Sequence, residues 1–173
     1  NSYQIALKEY KRISTRLNAL FSNFDSLKEA ERKFIPERGT LMTPVNGHVV
    51  QGFGRSINRR FGTVTFHKVL EIEAEHNAPV SAVLPGIVEY VGWLKGLGNM
   101  MILHHGGAFY SLHAHLFKTN KNVGHRVERG DVIGSVGDTG NNEKPSLYFE
   151  LRSNGKAIDP VVYLSKSALM NLN

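Results

Sequence analysis

From Leu41 onward the chain breaks into short alternating runs separated by Gly, Pro and Asn. The runs are Gly47-His48-Val49-Val50, Gly86-Ile87-Val88-Glu89-Tyr90-Val91, Asn99-Met100-Met101-Ile102-Leu103-His104, residues 108–115, Val132-Ile133-Gly134-Ser135-Val136 and residues 146–151. Alternation with period 2 marks strands with one buried face, and no helical period lies between the runs. Many short strands at close spacing predict a mainly β fold, an antiparallel sheet or sandwich. Within it, Val127-Glu128-Arg129-Gly130-Asp131-Val132-Ile133-Gly134 reads as a turn between strands, with Gly130 suited to a positive φ.

The first 35 residues have a different texture. They contain no Gly or Pro and place Tyr3, Ala6, Tyr10, Ile13, Leu17, Leu20, Phe24 and Leu27 at alternating spacings of three and four. That is heptad spacing, with Lys8, Glu9, Lys11, Arg12, Arg16, Lys28 and Glu29 between the apolar positions. The pattern predicts a helix with one narrow apolar seam, ended by Pro36 and Gly39. Such a seam packs on the following domain or pairs with another helix. As the pattern is already under way at Asn1, the expectation is the end of a longer coiled coil or a regulatory arm. Phe21 beside Phe24 is bulky for a two-stranded seam, so the last turns are expected to dock on the β domain. The predicted organisation is a helix at 1–35, a β domain at 36–165 and a C-terminal tail at 166–173.

Composition narrows the function classes. With 41% hydrophobic and 21% charged residues the chain is of soluble globular type, and no apolar run approaches the roughly 18 residues of a membrane span. It has no cysteine, which excludes disulfides and thiolate zinc sites. The net charge of +6 favours anionic partners, but no helix-turn-helix, zinc-finger or RNP pattern is present and nucleic acid is not expected.

The order of the motifs carries more. Ala78-Pro79-Val80-Ser81-Ala82 leads to Gly86-Ile87-Val88, Gly98-Asn99, a strand ending at His105-Gly106, and Leu112-His113-Ala114-His115-Leu116. Then come the Val127 to Gly134 turn, Gly137-Asp138-Thr139-Gly140, and Pro145-Ser146-Leu147-Tyr148-Phe149-Glu150-Leu151-Arg152. From about Leu41 to Leu164 this series resembles the lysostaphin-type (LytM) peptidoglycan metalloendopeptidase domain, whose fold is a duplicated hybrid motif-like antiparallel β structure. In that family the last strand reads P-H-L-H-F-E-[IL]-R. Its second His, an earlier His and an Asp four residues after that earlier His hold zinc, and two further histidines activate the attacking water.

Carried over by position, the resemblance puts the ligand positions at His67, Glu71 and Tyr148, and the two catalytic positions at His115 and Ser146. One ligand is kept, one altered and one replaced by a phenol, a poor zinc donor near neutral pH. The resemblance therefore implies a lost zinc site, no cofactor and no peptidase activity. His67 and Glu71, read as i and i+4 of one strand, are expected to share a face. His113 and His115, two apart, are also expected to share one, which leaves a relocated site conceivable beside the reading of both as leftover polar residues. His104 and His105 fit a strand-end turn, and His48, His76 and His125 fall in turn-like surroundings. Gly52-Phe53-Gly54-Arg55 lacks the Lys-Ser/Thr of a phosphate loop and reads as the structural entry to the first strands.

The form Pro-Ser-Leu-Tyr-Phe-Glu-[IL]-Arg is similar to that of EnvC-type murein hydrolase activators, which join a coiled coil to a degenerate LytM domain. The resemblance implies a non-catalytic activator of N-acetylmuramoyl-L-alanine amidases in the periplasm, working in cell division. Its partners would be the amidase, peptidoglycan and an upstream envelope regulator reached through the coiled coil. The groove contacts carry over to Lys68, Trp93, Tyr148 and Arg152, with Leu97 where an aromatic is expected in close relatives. Tyr148 and Arg152 are expected to be replaceable without unfolding the domain. Two rival readings are a metal-dependent peptidoglycan endopeptidase with rearranged ligands and a plain peptidoglycan-binding module.

Overall fold

A computed structural model describes residues 2–24 and 34–172. Helix α1 spans Ser2–Phe24; Leu27, Lys28 and Glu29 of the predicted seam lie outside the described residues. Twelve strands follow: β1 His48–Gln51, β2 Gly54–Asn58, β3 Thr63–His67, β4 Leu70–Glu73, β5 Pro79–Ser81, β6 Gly86–Leu94, β7 Gly98–Gly106, β8 Phe109–Thr119, β9 Arg126–Val127, β10 Val132–Val136, β11 Ser146–Ser153 and β12 Lys156–Ile158. Two short helices close the chain, α2 Pro160–Tyr163 and α3 Lys166–Met170. Every named strand pair is antiparallel. Ten strands form one sheet along the path β1-β4-β11-β8-β7-β6-β9, with β10 joined to β5 and β8, and β12 to β11; β2 and β3 pair only with each other.

All six runs read from alternation are strands, and Gly130 takes φ +89 in the turn before β10. Alternation also sorts the core into two. On one face of the sheet Leu147, Phe149 and Leu151 of β11 join Leu70, Ile72, Leu103, Phe109, Ile133 and Val136 in the larger cluster. The segment 166–173, set apart as a tail, contributes to that cluster through Ala168 and Leu172. Its helix starts because the Ser165 hydroxyl accepts a bond from the Ala168 N–H, and α2 starts with Asp159 as N-cap and Pro160 behind it. A parallel bridge between Leu41 and Leu164 ties the beginning of the β region to its end.

The second cluster lies on the other face and is closed by α1. Ile13, Leu17 and Phe21 pack on Leu97, Met100, Ile102, Tyr110, Leu112 and Ala114. The seam is therefore used within the chain over residues 13–21, with Phe21 as its third buried anchor and Leu20 half-buried beside it. Burying three such side chains contributes about 1.5–3 kcal/mol each, which a lone helix in water has no other way of gaining. Gly96 permits the close approach: at φ +93 it bears no Cβ, which would sit 2.7 Å from Ile13 Cδ1.

Candidate functional site

The face of β11 under α1 carries Ser146, Tyr148, Glu150 and Arg152. Alternation predicts this set, but not that it is covered: Glu150 is 1% and Arg152 4% exposed. Arg152, expected as a groove contact, is buried and already bonded within the chain. Its Nε donates to Glu150 Oε1 at 2.7 Å, its Nη1 donates to Asn18 Oδ1 at 3.0 Å, and its guanidinium lies 4.5 Å from the centre of the Phe21 ring. The Tyr148 hydroxyl donates to the other Glu150 oxygen at 3.3 Å. Burial pushes the Glu150 carboxyl up, while Arg152, Tyr148 and the charge of Lys68 pull against it. Charge-assisted bonds of this kind are stronger than neutral ones, and both carboxylate oxygens have a partner.

Beside this array lies a cavity of about 510 Å³ between α1 and the sheet, lined by Asn18, Phe21, Lys68, Tyr110, Arg152 and Lys156 among others. Three of these are cationic and only Arg152 has its carboxylate partner buried with it, so the cavity suits an acidic or polar segment.

The positions that the resemblance assigns to catalysis sit at the other end of β11. Ser146 Oγ donates to Glu71 Oε1 at 2.9 Å and receives a bond from Asn142 Nδ2 at 3.2 Å. His115 Nδ1 lies 4.0 Å from the same Glu71 oxygen. Burial lowers the His115 pKa to about 4, opposed by Asn141 and the Gly96 carbonyl, so at neutral pH the ring is uncharged and this is no ion pair. Ser146 therefore has a carboxylate partner but no imidazole in line with it, and a serine nucleophile is not assembled here.

Two expected face-sharings are corrected. His67 ends β3 in the two-stranded sheet, whereas Glu71 lies in β4 of the main sheet, so the pair does not sit on one strand. Glu71 still acts on His67 through space, raising a pKa that burial lowers. His113 and His115 face opposite ways. His115 adopts φ +64 and its N–H turns to the Leu97 carbonyl, 2.8 Å away, which breaks the alternation of β8. In consequence His113 packs on Phe149 at 5.4 Å, on the large-core side, and His115 meets Tyr148 edge-on at 5.7 Å, on the groove side. A relocated site using both rings is thereby excluded. His48 is also corrected: it lies in β1, 3.8 Å from Glu73. His125 does sit in a turn, accepting from the Asn122 N–H, and His104 bonds the Gly107 carbonyl at the strand end.

A family model decides the lineage of this fold and site: that of Peptidase family M23 matches residues 65–160. The chain belongs to peptidase family M23. Similar relatives include the murein hydrolase activator EnvC of Escherichia coli (strain K12), 32% identical over 129 residues, covering 75% of this chain and 30% of the relative. Another is the DD-carboxypeptidase/endopeptidase Mpg of Neisseria meningitidis serogroup B (strain ATCC BAA-335 / MC58), 30% identical over 135 residues, covering 77% of this chain and 31% of the relative. The chain thus spans about a third of the length of these two relatives. Among solved structures, the antimicrobial peptidase lysostaphin from Staphylococcus simulans is similar at a TM-score of 0.60 and 31% identity, over 71% of this chain and 50% of that one. The proteins similar to this chain thus include ones named as peptidases and one named as an activator.

Zinc is the metal that the M23 resemblance implies, and the donor set does not fit it. Of the three positions that the resemblance assigns as ligands, Tyr148 offers a phenol, a poor zinc donor, whose hydroxyl already donates to Glu150. Among the described residues no group of three or more His, Cys, Asp or Glu could hold a metal ion. Structural zinc needs donors within a few tenths of an ångström of ideal placement. Lys68 is exposed at the groove edge, Trp93 is 61% exposed on β6, and Leu97 is buried beneath α1. Glu150, Asn18 and Tyr110 are the groove residues that sequence reasoning missed. The first was visible in the alternation, since it must share a face with Tyr148 and Arg152.

The buried histidines give the M23 core an acid limit. His113, held neutral at about 3 by burial, and His115 at about 4 bind protons more readily once the chain unfolds. Their contribution is fully present above the ordinary histidine pKa near 6.5 and is lost as pH falls from there toward the folded values. Each costs about 1.4 kcal/mol per pH unit in that window. The urea midpoint is expected to drop steadily between pH 6.5 and 4, and His113→Gln to flatten the slope. Identical slopes for both proteins would remove His113 from this account.

Proposed function

We propose that the chain is a non-catalytic activator of N-acetylmuramoyl-L-alanine amidases in the bacterial envelope, and that it binds an amidase segment in the groove on the β11 face. The observation that supports this best is Tyr148, which stands where the resemblance puts a zinc-binding histidine and donates its hydroxyl to the buried Glu150 that Arg152 holds. The similarity to a protein named as a murein hydrolase activator points the same way. In this reading the zinc site is lost, Lys68, Tyr148 and Arg152 meet the partner, and Trp93 contributes from the rim. Leu97 is reached only when α1 leaves. Residues 1–35 are a regulatory arm for the domain at 36–165: α1 fills the groove, and an upstream envelope regulator frees it by pulling on a coiled coil that continues the arm. No helix among the described residues is long and apolar enough to cross a membrane.

An amidase assay on dye-labelled peptidoglycan tests the reading. The chain alone is expected to release nothing and to raise amidase turnover when added. Cleavage by the chain alone, abolished by a chelator, would establish the rival endopeptidase. Retention on sacculi with no stimulation of any amidase would make it a peptidoglycan-binding module.

A further inference from the structure

The hairpin of β2 and β3 does nothing for either core and joins no strand of the main sheet. Its register pairs Arg55 with Phe66 and Ile57 with Val64, so these four share one face. That face is in water: Ile57 is 64%, Val64 53% and Phe66 45% exposed, and Phe61 at the tip is 43% exposed. A directly opposed aliphatic pair left this open is unusual, because cross-strand apolar pairs normally close over one another against a core. Around these residues stand exposed Arg55, Arg59 and Arg60, followed by exposed Lys68, and there is no Asp or Glu anywhere from Val49 to Leu70. Arg60 lies over the Phe61 ring at 5.4 Å, which keeps a cation and an aromatic together at the tip.

We propose that this hairpin docks the protein on an anionic lipid surface, with Phe61, Ile57 and Val64 entering the headgroup boundary and the arginines meeting lipid phosphates. Charge selects an anionic partner, and the apolar face selects among anionic partners. A glycan or peptidoglycan strand offers no apolar phase for Ile57 and Val64, and single-stranded nucleic acid would be met by stacking aromatics, not by an aliphatic pair. A membrane interface takes both, since amphipathic elements bury their apolar side a few ångströms into the boundary while Arg stays at headgroup level. The hairpin is well suited to this because its edge contact between Phe53 and Phe66, 5.3 Å between centroids, anchors the base and leaves the tip projecting.

The experiment is vesicle flotation of the whole 173-residue chain. Vesicles of phosphatidylglycerol and phosphatidylethanolamine are expected to carry the protein, phosphatidylcholine vesicles are not, and binding is expected to fall with salt. Each cation at an anionic surface is worth a factor of about five in partitioning. Arg55→Ser/Arg59→Ser/Arg60→Ser is therefore expected to lower it by on the order of a hundredfold. Ile57→Asn/Val64→Asn tests the apolar half and is expected to weaken binding while leaving its salt dependence. Both variants change exposed residues, so an unchanged melting temperature confirms the fold. Absence of binding to the anionic vesicles, or binding unaffected by the arginine variant, overturns the proposal. So does a concentration-dependent dimer lost in Ile57→Asn/Val64→Asn, or loss of amidase stimulation in either variant, where vesicles are not bound; these assign the face to a second copy or to the protein partner.

Discussion

Replacing Arg152 with Ala is expected to cost about 3 kcal/mol of folding stability at pH 8, read from the urea midpoint, because it leaves Glu150 buried without its cation. Both groups are almost wholly removed from water, and the Nε to Oε1 distance is 2.7 Å. The Tyr148 hydroxyl and the Lys68 charge remain, which keeps the loss at the low end of that for a broken buried pair. Proton linkage sharpens the test. Burial already raises the Glu150 pKa, and without Arg152 nothing of comparable strength opposes it. A carboxyl raised in the folded state adds stability below its unfolded pKa and loses it as pH rises through the folded value. The deficit of the variant should therefore shrink from pH 8 toward pH 5, with the histidine contribution common to both proteins and cancelling. A second substitution, Glu150→Gln in the Arg152→Ala background, should restore most of the loss. Equal deficits at both pH values would mean that Glu150 is not charged in the native protein. This also corrects the expectation that Arg152 can be replaced freely: in a stimulation assay its loss would mix unfolding with lost contact, whereas Tyr148→Phe removes one hydroxyl from the same face.

The main strands were legible because each carries alternation that one buried face makes obligatory: Leu147, Phe149 and Leu151 could point nowhere but into the core. The hairpin of β2 and β3 was not, since Arg55, Ile57, Val64 and Phe66 share a face that joins neither core and so leave no apolar-in, polar-out signature. Short strands such as β5, β9 and β12 are held by their neighbours' ladders, and three residues or fewer carry no period of their own. At the site, the types and face of Ser146, Tyr148 and Arg152 followed from the strand. Their state did not, because it depends on α1 reaching across from residues 18 and 21, more than a hundred positions away in the chain. The facing of His113 and His115 failed for a local reason: a single left-handed residue, His115, inverts every later side chain of β8, and a histidine signals a positive φ far more weakly than a glycine does.

The same long-range contact carries the prediction with the largest functional effect. Leu17 is 1% exposed at the middle of the three anchors of α1, and Asp there must either lose its charge or leave the sheet. Leaving is the easier course, because α1 is held by Ile13, Leu17, Phe21 and edge bonds such as those of Asn18 to Arg152 and Arg16 to the Lys95 carbonyl, while the sheet beneath keeps its own ladder and its larger core. If docking of α1 favours the closed groove by about 3 kcal/mol, only on the order of one molecule in a hundred is competent to bind, and apparent affinity is reduced by that fraction. Leu17→Asp is therefore expected to tighten amidase binding by on the order of a hundredfold and to lower the concentration needed for stimulation to match. Trypsin reports release independently, since Arg16 is held against the Lys95 carbonyl in the docked helix and becomes a cleavage site when α1 lifts. Rapid cleavage at Arg16 with unchanged amidase affinity would show that the helix covers a face the partner does not use. Slow cleavage with tight binding would show that the partner enters beside α1, through the cationic cavity at Lys68 and Lys156, without displacing it.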